Sequence, residues 1–83
     1  MRLDRYLYFI RLVKSRSSAQ SVIENGVVRL NGRRVEKSAA NVAVGNIIAL
    51  SLHDQVRVLR VVRIPSRRGP AAEASACYDE VGN

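Results

Sequence analysis

The dipeptide Asn31-Gly32, flanked by two short apolar-rich runs, constrains the fold more than any other feature of the sequence. Asn-Gly favours a two-residue type I′ turn, because both central positions of that turn need a positive φ. Residues 27–30 and 33–35 are therefore predicted to be antiparallel strands. Such a short loop also fixes the register, with three cross-strand pairs: Leu30 with Arg33, Arg29 with Arg34, and Val28 with Val35.

Two helices are predicted before this hairpin. Apolar residues recur at helical spacing between Leu3 and Val13, which indicates a helix over residues 3–13. Ser17 with Gln20 three residues later has the spacing of a capping box and predicts the start of a second helix. Asn25-Gly26 ends that helix, with the glycine as its left-handed cap.

Two further strands are predicted after the hairpin. Residues 47–52 and 55–64 are rich in β-branched and apolar side chains and are separated by a turn at His53-Asp54. In the second of these strands the apolar alternation changes phase between Val58 and Leu59. This change predicts a bulge or a strand that is buried on both faces.

The length of the chain limits it to one small domain. With 83 residues it can bury one modest core but has little room for a catalytic cavity as well. The composition changes after Pro65. We therefore expect a domain over residues 1–64 and a C-terminal tail over residues 65–83, for which a short helix is one option.

The sequence offers few candidates for catalysis or metal binding. A lone Cys77 cannot form an internal disulfide and fits a reducing compartment such as the cytoplasm, and one His and one Cys are too few for structural zinc. Asp4 has no second carboxylate or nucleophile nearby in the sequence, so we interpret it as structural, orienting Arg2 or Arg5. No apolar run approaches the ~18 residues of a membrane span. We expect no enzyme, no metal, no cofactor and no membrane partner.

Positive charge is concentrated in the predicted domain. Residues 1–68 carry 14 basic and 4 acidic side chains, whereas residues 69–83 carry 3 acids and no base. A strongly basic small domain favours a polyanionic partner. Lys14 and Arg16 lie just before the predicted helix start at Ser17, where free N–H groups also favour an anion. The alternative is that Lys14 caps the end of the first helix and Arg16 is simply solvated.

The hairpin carries a second cationic feature. Arg29 and Arg34 are predicted to lie directly opposite each other, which is destabilising unless an anion lies between them. The alternative is that Glu24 or Glu36 neutralises the pair. Tyr8 falls outside the apolar stripe, so it either stacks on an unpaired base or packs on a neighbouring loop.

The joint spacing of these motifs resembles the S4-type RNA-binding domain over residues 1 to about 52. The residues that carry the resemblance are Arg2-Leu3-Asp4, Leu7, Ser15-Arg16, Ala19, Ile23, Gly26, Val28, Asn31-Gly32, Lys37 and Val44-Gly45. The resemblance implies an α+β fold in which two N-terminal helices pack on a small bent antiparallel sheet of about four to five strands, followed by the tail. It also implies that the partner is structured RNA, either ribosomal RNA or tRNA.

The tail resembles the segment that follows this domain in the heat shock protein 15 family. The matching residues are Arg67-Arg68-Gly69-Pro70-Ala71, Glu73-Ala74 and Tyr78. The resemblance implies the large ribosomal subunit as a partner, in stalled-ribosome recycling or quality control. Motif and charge together give these candidate RNA-binding residues: Arg2, Arg11, Lys14, Ser15, Arg16, Arg29, Asn31, Arg33, Arg34 and Lys37.

Two other classes of protein share some of these features. A helix-turn-helix DNA-binding protein, or a general nucleic-acid adaptor, also has paired helices and positive charge. Its recognition helix presents base-reading side chains, whereas the second helix here offers only Ser18, Gln20, Ser21 and Glu24. A membrane-surface adaptor needs exposed apolar anchors beside basic residues, and the first helix offers Tyr8, Phe9 and Leu12.

Overall fold

A computed structural model describes residues 1–81 of the chain. It contains three helices and five strands. Their bounds are α1 (Leu3–Phe9), α2 (Arg16–Glu24), β1 (Val28–Leu30), β2 (Arg33–Val35), β3 (Ile47–Leu52), β4 (Gln55–Val61), α3 (Ala71–Ser75) and β5 (Tyr78–Glu80). The strands form one antiparallel sheet in the order β2-β1-β3-β4-β5, and α1 and α2 share a single apolar core with it. The predicted α+β architecture is confirmed.

The hairpin of β1 and β2 has the predicted register. Val28 pairs with Val35 and Arg29 with Arg34, and both turn residues have positive φ, 53° at Asn31 and 84° at Gly32. Asn31 also ties the turn to β3, because its side-chain oxygen accepts a hydrogen bond from the backbone N–H of Ile47 at 2.8 Å. The turn therefore fixes both neighbours of β1.

The first helix ends earlier than predicted. Arg11 has φ 65°, which ends α1 at Phe9 instead of residue 13. The N–H of Arg11 donates to the Tyr8 carbonyl and the N–H of Leu12 to the Leu7 carbonyl, each at 3.1 Å, which is the Schellman pattern of a helix end. That left-handed position usually holds glycine, so no local signal in the sequence marks the end of the helix here. The returning chain still buries Val13, which extends the apolar period beyond the helix.

The cap of the second helix lies two residues earlier than predicted. Ser15, and not Ser17, is the N-cap, and its Oγ accepts a hydrogen bond from the N–H of Ser18 at 3.0 Å. Gln20 forms no capping box, because its side chain donates to Asp4 instead. The helix ends as predicted, with Gly26 left-handed at φ 75°.

The phase change in β4 is neither a bulge nor burial on both faces. β3 and β4 pair without interruption from Ile47–Arg60 to Leu52–Gln55. Leu59 and Val61 face the core, while Val56 is 73% exposed on the opposite face. The strand ends at Val61 rather than residue 64, because the N–H groups of the next two residues both donate to the carbonyl of Cys77.

The segment after Pro65 contains α3 and a strand that the sequence did not predict. β5 pairs antiparallel with β4 and lies at an edge of the sheet. Cys77, just before β5, is buried, and its carbonyl accepts a hydrogen bond from the Tyr6 hydroxyl at 2.9 Å. Burial raises the pKa of Tyr6, so this hydroxyl remains a neutral donor. The domain boundary at residue 64 stays a prediction, and residues 82–83 of the predicted tail lie outside the described residues.

Candidate nucleic-acid interface

A buried carboxylate organises the start of α1. Asp4 is fully buried, and Arg2 donates to both of its oxygens, Nε to Oδ1 and Nη2 to Oδ2, each at 3.0 Å. The backbone N–H of Arg5 and the amide of Gln20 also donate to it, at 2.7 and 3.1 Å. Burial acts to raise the pKa of Asp4, but these hydrogen bonds and the Arg2 charge together hold the pKa below its ordinary value. Asp4 therefore orients Arg2, as predicted, and joins α1 to α2.

The start of α2 has the opposite character. Its cap is the neutral Ser15, and its first turn contains no acid. Lys14 and Arg16 flank this cap and are exposed, and neither has a carboxylate within 4 Å among residues 1–81. Lys14 does not cap the first helix, because α1 ends at Phe9 with no basic residue in its last turn. The two cations therefore lie beside N–H groups that carry a partial positive charge of their own.

The hairpin presents exposed arginines on both faces. Arg29 and Arg34 lie opposite each other, and among residues 1–81 only Arg34 has a carboxylate nearby, that of Glu36 at 3.9 Å. Both members of that pair are more than half exposed, so the interaction is worth little. Glu24 lies instead beside Ser38, whose hydroxyl donates to it at 3.5 Å. Most of the positive charge of the hairpin is therefore not neutralised within the described chain.

Of the remaining candidates, two have no carboxylate partner within the described residues and three already form hydrogen bonds within the protein. Arg33 and Lys37 are exposed and, among residues 1–81, have no carboxylate within 4 Å. Arg11 is exposed, but its Nε donates to the Gly69 carbonyl at 2.7 Å. Ser15 is occupied as the cap of α2 and Asn31 as a brace between the turn and β3. These last two residues act first on local structure.

The fold brings the candidate cations to both ends of α2. The main chain of Arg2 bridges to Asn41, and the N–H of Asp4 donates to the Ser38 carbonyl, so the segment containing Lys37 runs beside the start of α1. Because Gln20 contacts Asp4 and Ser38 contacts Glu24, this group lies along the middle and the C-terminal end of α2, while Arg16 is at its first turn. Eight residues separate the helix ends, a rise of about 12 Å.

Sequence reasoning missed that the C-terminal segment contacts α1. The Arg68 guanidinium carbon lies 4.7 Å from the centroid of the Tyr8 ring, and its Nε donates to the Tyr8 carbonyl at 3.0 Å. Tyr8 therefore packs on a neighbouring segment, the second of the two alternatives. The signal available in the sequence was the Arg67-Arg68 pair, but no local pattern shows which helix it contacts.

The described residues contain neither a cluster of metal ligands nor a membrane-spanning helix. Within residues 1–81, no three His, Cys, Asp or Glu side chains come together as a group that could hold a metal ion. No helix in the same range is long and apolar enough to cross a membrane.

Known proteins are similar to this chain both in the N-terminal helices and hairpin and in the segment after Pro65. The family model of the S4 domain matches residues 1–48. Heat shock protein 15 of Escherichia coli K12 is 35% identical over 80 residues, which cover 96% of this chain and 59% of that protein. The heat shock protein 15 homolog of Haemophilus influenzae is 32% identical over 80 residues, 96% of this chain and 60% of that protein. The chain thus spans about 60% of the length of these relatives.

A ribosomal protein and a solved structure extend the comparison. Small ribosomal subunit protein uS4 of Solidesulfovibrio magneticus is 32% identical over 73 residues, which cover 86% of this chain and 35% of that protein. The structure of Vibrio cholerae heat shock protein 15, described as trimeric, superposes with a TM-score of 0.93 at 33% identity. That match covers 98% of this chain and 81% of the Vibrio chain, so it includes the segment after Pro65.

Proposed function

The chain belongs to the S4 domain family, and from that premise we propose that it is a non-catalytic protein that binds structured RNA. The target proposed is ribosomal RNA or tRNA on the large ribosomal subunit. Candidate contacts are the exposed cations of the helix pair and the hairpin. Phosphate contacts of this kind position a protein on RNA without reading its sequence.

The observation that carries the proposal is the placement of Lys14 and Arg16. Cations are unfavourable at a helix N-terminus, by about 0.3–1 kcal/mol each. An acid in the first turn would offset this effect, but α2 has none, and neither cation has a carboxylate within 4 Å among residues 1–81. A bound phosphate reverses the sign, because it meets both side chains and the free N–H groups at once.

One contact argues against helix-turn-helix recognition of DNA. Gln20 is the side chain of α2 best suited to reading an adenine edge in the major groove. Its amide is engaged with the buried Asp4 carboxylate, so it is not available for a base. Apart from Arg16 at its first residue, the other exposed side chains of α2 are serines and Glu24, so the rest of the helix offers few groups that read bases.

The ribosomal setting is supported by the relatives. The protein resembles heat shock protein 15 along nearly its whole length, and its fold extends that likeness through β5. We place its action on large subunits that carry a stalled nascent chain, in recycling or quality control, in the cytoplasm.

A binding titration tests the phosphate site. The variant Lys14→Gln/Arg16→Gln is compared with Arg60→Gln/Arg63→Gln, which removes the same charge from exposed arginines outside the candidate set. With a structured RNA at 0.1 M salt we expect about 25-fold weaker binding for the first variant, since each phosphate contact contributes a salt slope of about 0.7. Equal losses in both variants would reduce the site to a general positive field. Equal affinity for duplex DNA of the same length would favour the adaptor alternative.

Sucrose-gradient sedimentation tests the setting. Tagged protein in native lysate should co-migrate with large ribosomal subunits and should leave that fraction after RNase treatment. Lys14→Gln/Arg16→Gln should stay near the top of the gradient, while Arg60→Gln/Arg63→Gln should migrate like the unaltered protein. If the unaltered protein also stays at the top, the ribosomal target is wrong and free tRNA becomes the RNA to test.

A further inference from the structure

We infer that Arg11 and Arg68 form a second phosphate-binding element, held in place by the C-terminal segment before α3. The inference rests on the proposed RNA binding and extends the site beyond the part of the chain that the S4 domain matches, since Arg11 lies within residues 1–48 but Arg68 does not. We call these two side chains the arginine pair.

The arginine pair is fixed by a reciprocal set of hydrogen bonds. Arg11, just past α1, donates from Nε to the Gly69 carbonyl at 2.7 Å. Arg68, next to that glycine, donates from Nε to the Tyr8 carbonyl in the last turn of α1 at 3.0 Å. The Tyr8 carbonyl also accepts the backbone N–H of Arg11 at 3.1 Å. Both arginine side chains therefore lie between the end of α1 and residues 68–69.

These bonds leave the phosphate-binding ends of the two side chains available. Each guanidinium uses only its Nε in the bonds above, so its terminal nitrogens keep their donors. Arginine binds phosphate through two parallel N–H groups, and a guanidinium that is already ordered loses less entropy on binding. The contact of Arg68 with the face of Tyr8 adds to that order.

No acidic side chain neutralises the arginine pair within the described residues. Among residues 1–81 neither member of the pair has a carboxylate within 4 Å, and the nearby Glu73 is engaged by Arg67 at 3.0 and 3.2 Å. A cation near the C-terminal end of α1 is favourable, which applies to both Arg11 and Arg68. Two positive charges therefore lie together without an acid, an arrangement that a bound phosphate would stabilise.

The arginine pair lies close along the chain to the proposed phosphate site at the start of α2. Arg11 is three residues before Lys14, in the same connection between α1 and α2. Phosphates bound at the start of α2 therefore have a continuation along this connection toward residues 65–69. The simpler structural reading is that the two hydrogen bonds only fasten the C-terminal segment to α1.

Salt-dependent binding separates the two readings. The full chain carrying Arg11→Gln/Arg68→Gln is titrated with the same structured RNA at several salt concentrations, beside Arg60→Gln/Arg63→Gln. Loss of one shared phosphate contact should weaken binding about fivefold at 0.1 M salt and lower the salt slope by about 0.7. Losses no greater than those of Arg60→Gln/Arg63→Gln would show that the arginine pair is only a fastener.

Two further measurements keep the outcome interpretable. Arg11→Lys/Arg68→Lys retains both charges, so its salt slope should stay near that of the unaltered protein even if removal of the arginines loosens the segment. A slope that falls equally in the Lys and Gln variants would trace the loss to structure and overturn the inference. If Lys14→Gln/Arg16→Gln weakens binding while Arg11→Gln/Arg68→Gln matches the control, only the arginine pair fails. If the unaltered protein binds no RNA, the proposed function fails with it.

Discussion

The starts of α1 and α2 both carry an arginine, but its charge is paired at the first helix and unpaired within the described residues at the second. At α1, Asp4 is buried in the first turn and Arg2 binds it through two hydrogen bonds, so the charges at this helix start are satisfied within the protein. At α2, a neutral serine caps the helix and two cations face solvent. The first arrangement contributes to the stability of the fold, whereas the second opposes it slightly unless an anion is bound. Substitutions should separate the two roles.

The largest effect on stability is expected at Asp4. Replacing it by alanine removes four hydrogen bonds and leaves the N–H of Arg5 and the amide of Gln20 without their acceptor. We expect a loss of about 2–3 kcal/mol in the free energy of unfolding, because hydrogen bonds to a buried charge are among the stronger ones. The Arg2 side chain is 44% exposed and regains water, which keeps the loss below that for a fully buried pair. Urea unfolding measures the change. A loss of less than about 1 kcal/mol in the free energy of unfolding would show that Asp4 does not stabilise the fold in this way.

The same carboxylate should give stability a distinctive pH dependence. The pKa of Asp4 is lower in the folded protein than its ordinary value, so folding favours the ionised form. Its stabilising contribution is therefore complete above the unfolded pKa of about 3.9 and is lost as the pH falls through the folded pKa. The difference in unfolding free energy between the unaltered protein and Asp4→Asn should narrow as the pH is lowered from 6 to 2. A difference that is constant over this range would contradict the assignment.

A smaller effect is expected from the cap of α2. Ser15→Ala removes the acceptor for the N–H of Ser18 and should lower the free energy of unfolding by about 1 kcal/mol. Ser17→Ala is the matched control, because Ser17 is exposed in the first turn and is not the cap. A larger loss in Ser17→Ala than in Ser15→Ala would return the cap to the position predicted from the sequence.

The smallest effect on stability, and of opposite sign, is expected for Lys14→Gln/Arg16→Gln. Removing cations from the positive end of α2 should leave the free energy of unfolding unchanged or raise it by a few tenths of a kcal/mol. RNA affinity should fall in the same variant. Chemical unfolding and RNA titration of one preparation make this comparison, and a clear loss of stability would mean that the two cations support the fold after all.

The parts of the fold that were predictable are those set by adjacent residues. Asn31-Gly32 determines both the turn and the register, and Gly26 marks the end of α2, because each requirement is a local positive φ. The end of α1 was missed for the complementary reason, since Arg11 adopts the left-handed conformation without the usual glycine. β5 was missed because a three-residue strand with two acids has no apolar alternation, and its pairing with β4 depends on contacts distant in sequence.

In the candidate site, too, contacts between residues close in sequence were predictable and contacts between distant residues were not. The sequence predicted that Asp4 orients Arg2 or Arg5, since these residues are close along the chain, and the structure shows that the side chain it binds is that of Arg2. Gln20 and Arg68 show what it could not predict, because their partners lie 16 and 60 residues away. Which cations contact RNA stays a prediction, to be decided by the variants above.

The carbonyl of Cys77 connects the first helix of the protein to a segment that is synthesised much later. It accepts hydrogen bonds from the hydroxyl of Tyr6, 71 residues earlier, and from the N–H groups of Val62 and Arg63. A chain emerging from the exit tunnel can pair β1 with β2 early, but the Tyr6 hydroxyl can meet its acceptor only after residue 77 has been synthesised. During that interval the hydroxyl of a core tyrosine has only water as its partner at this position.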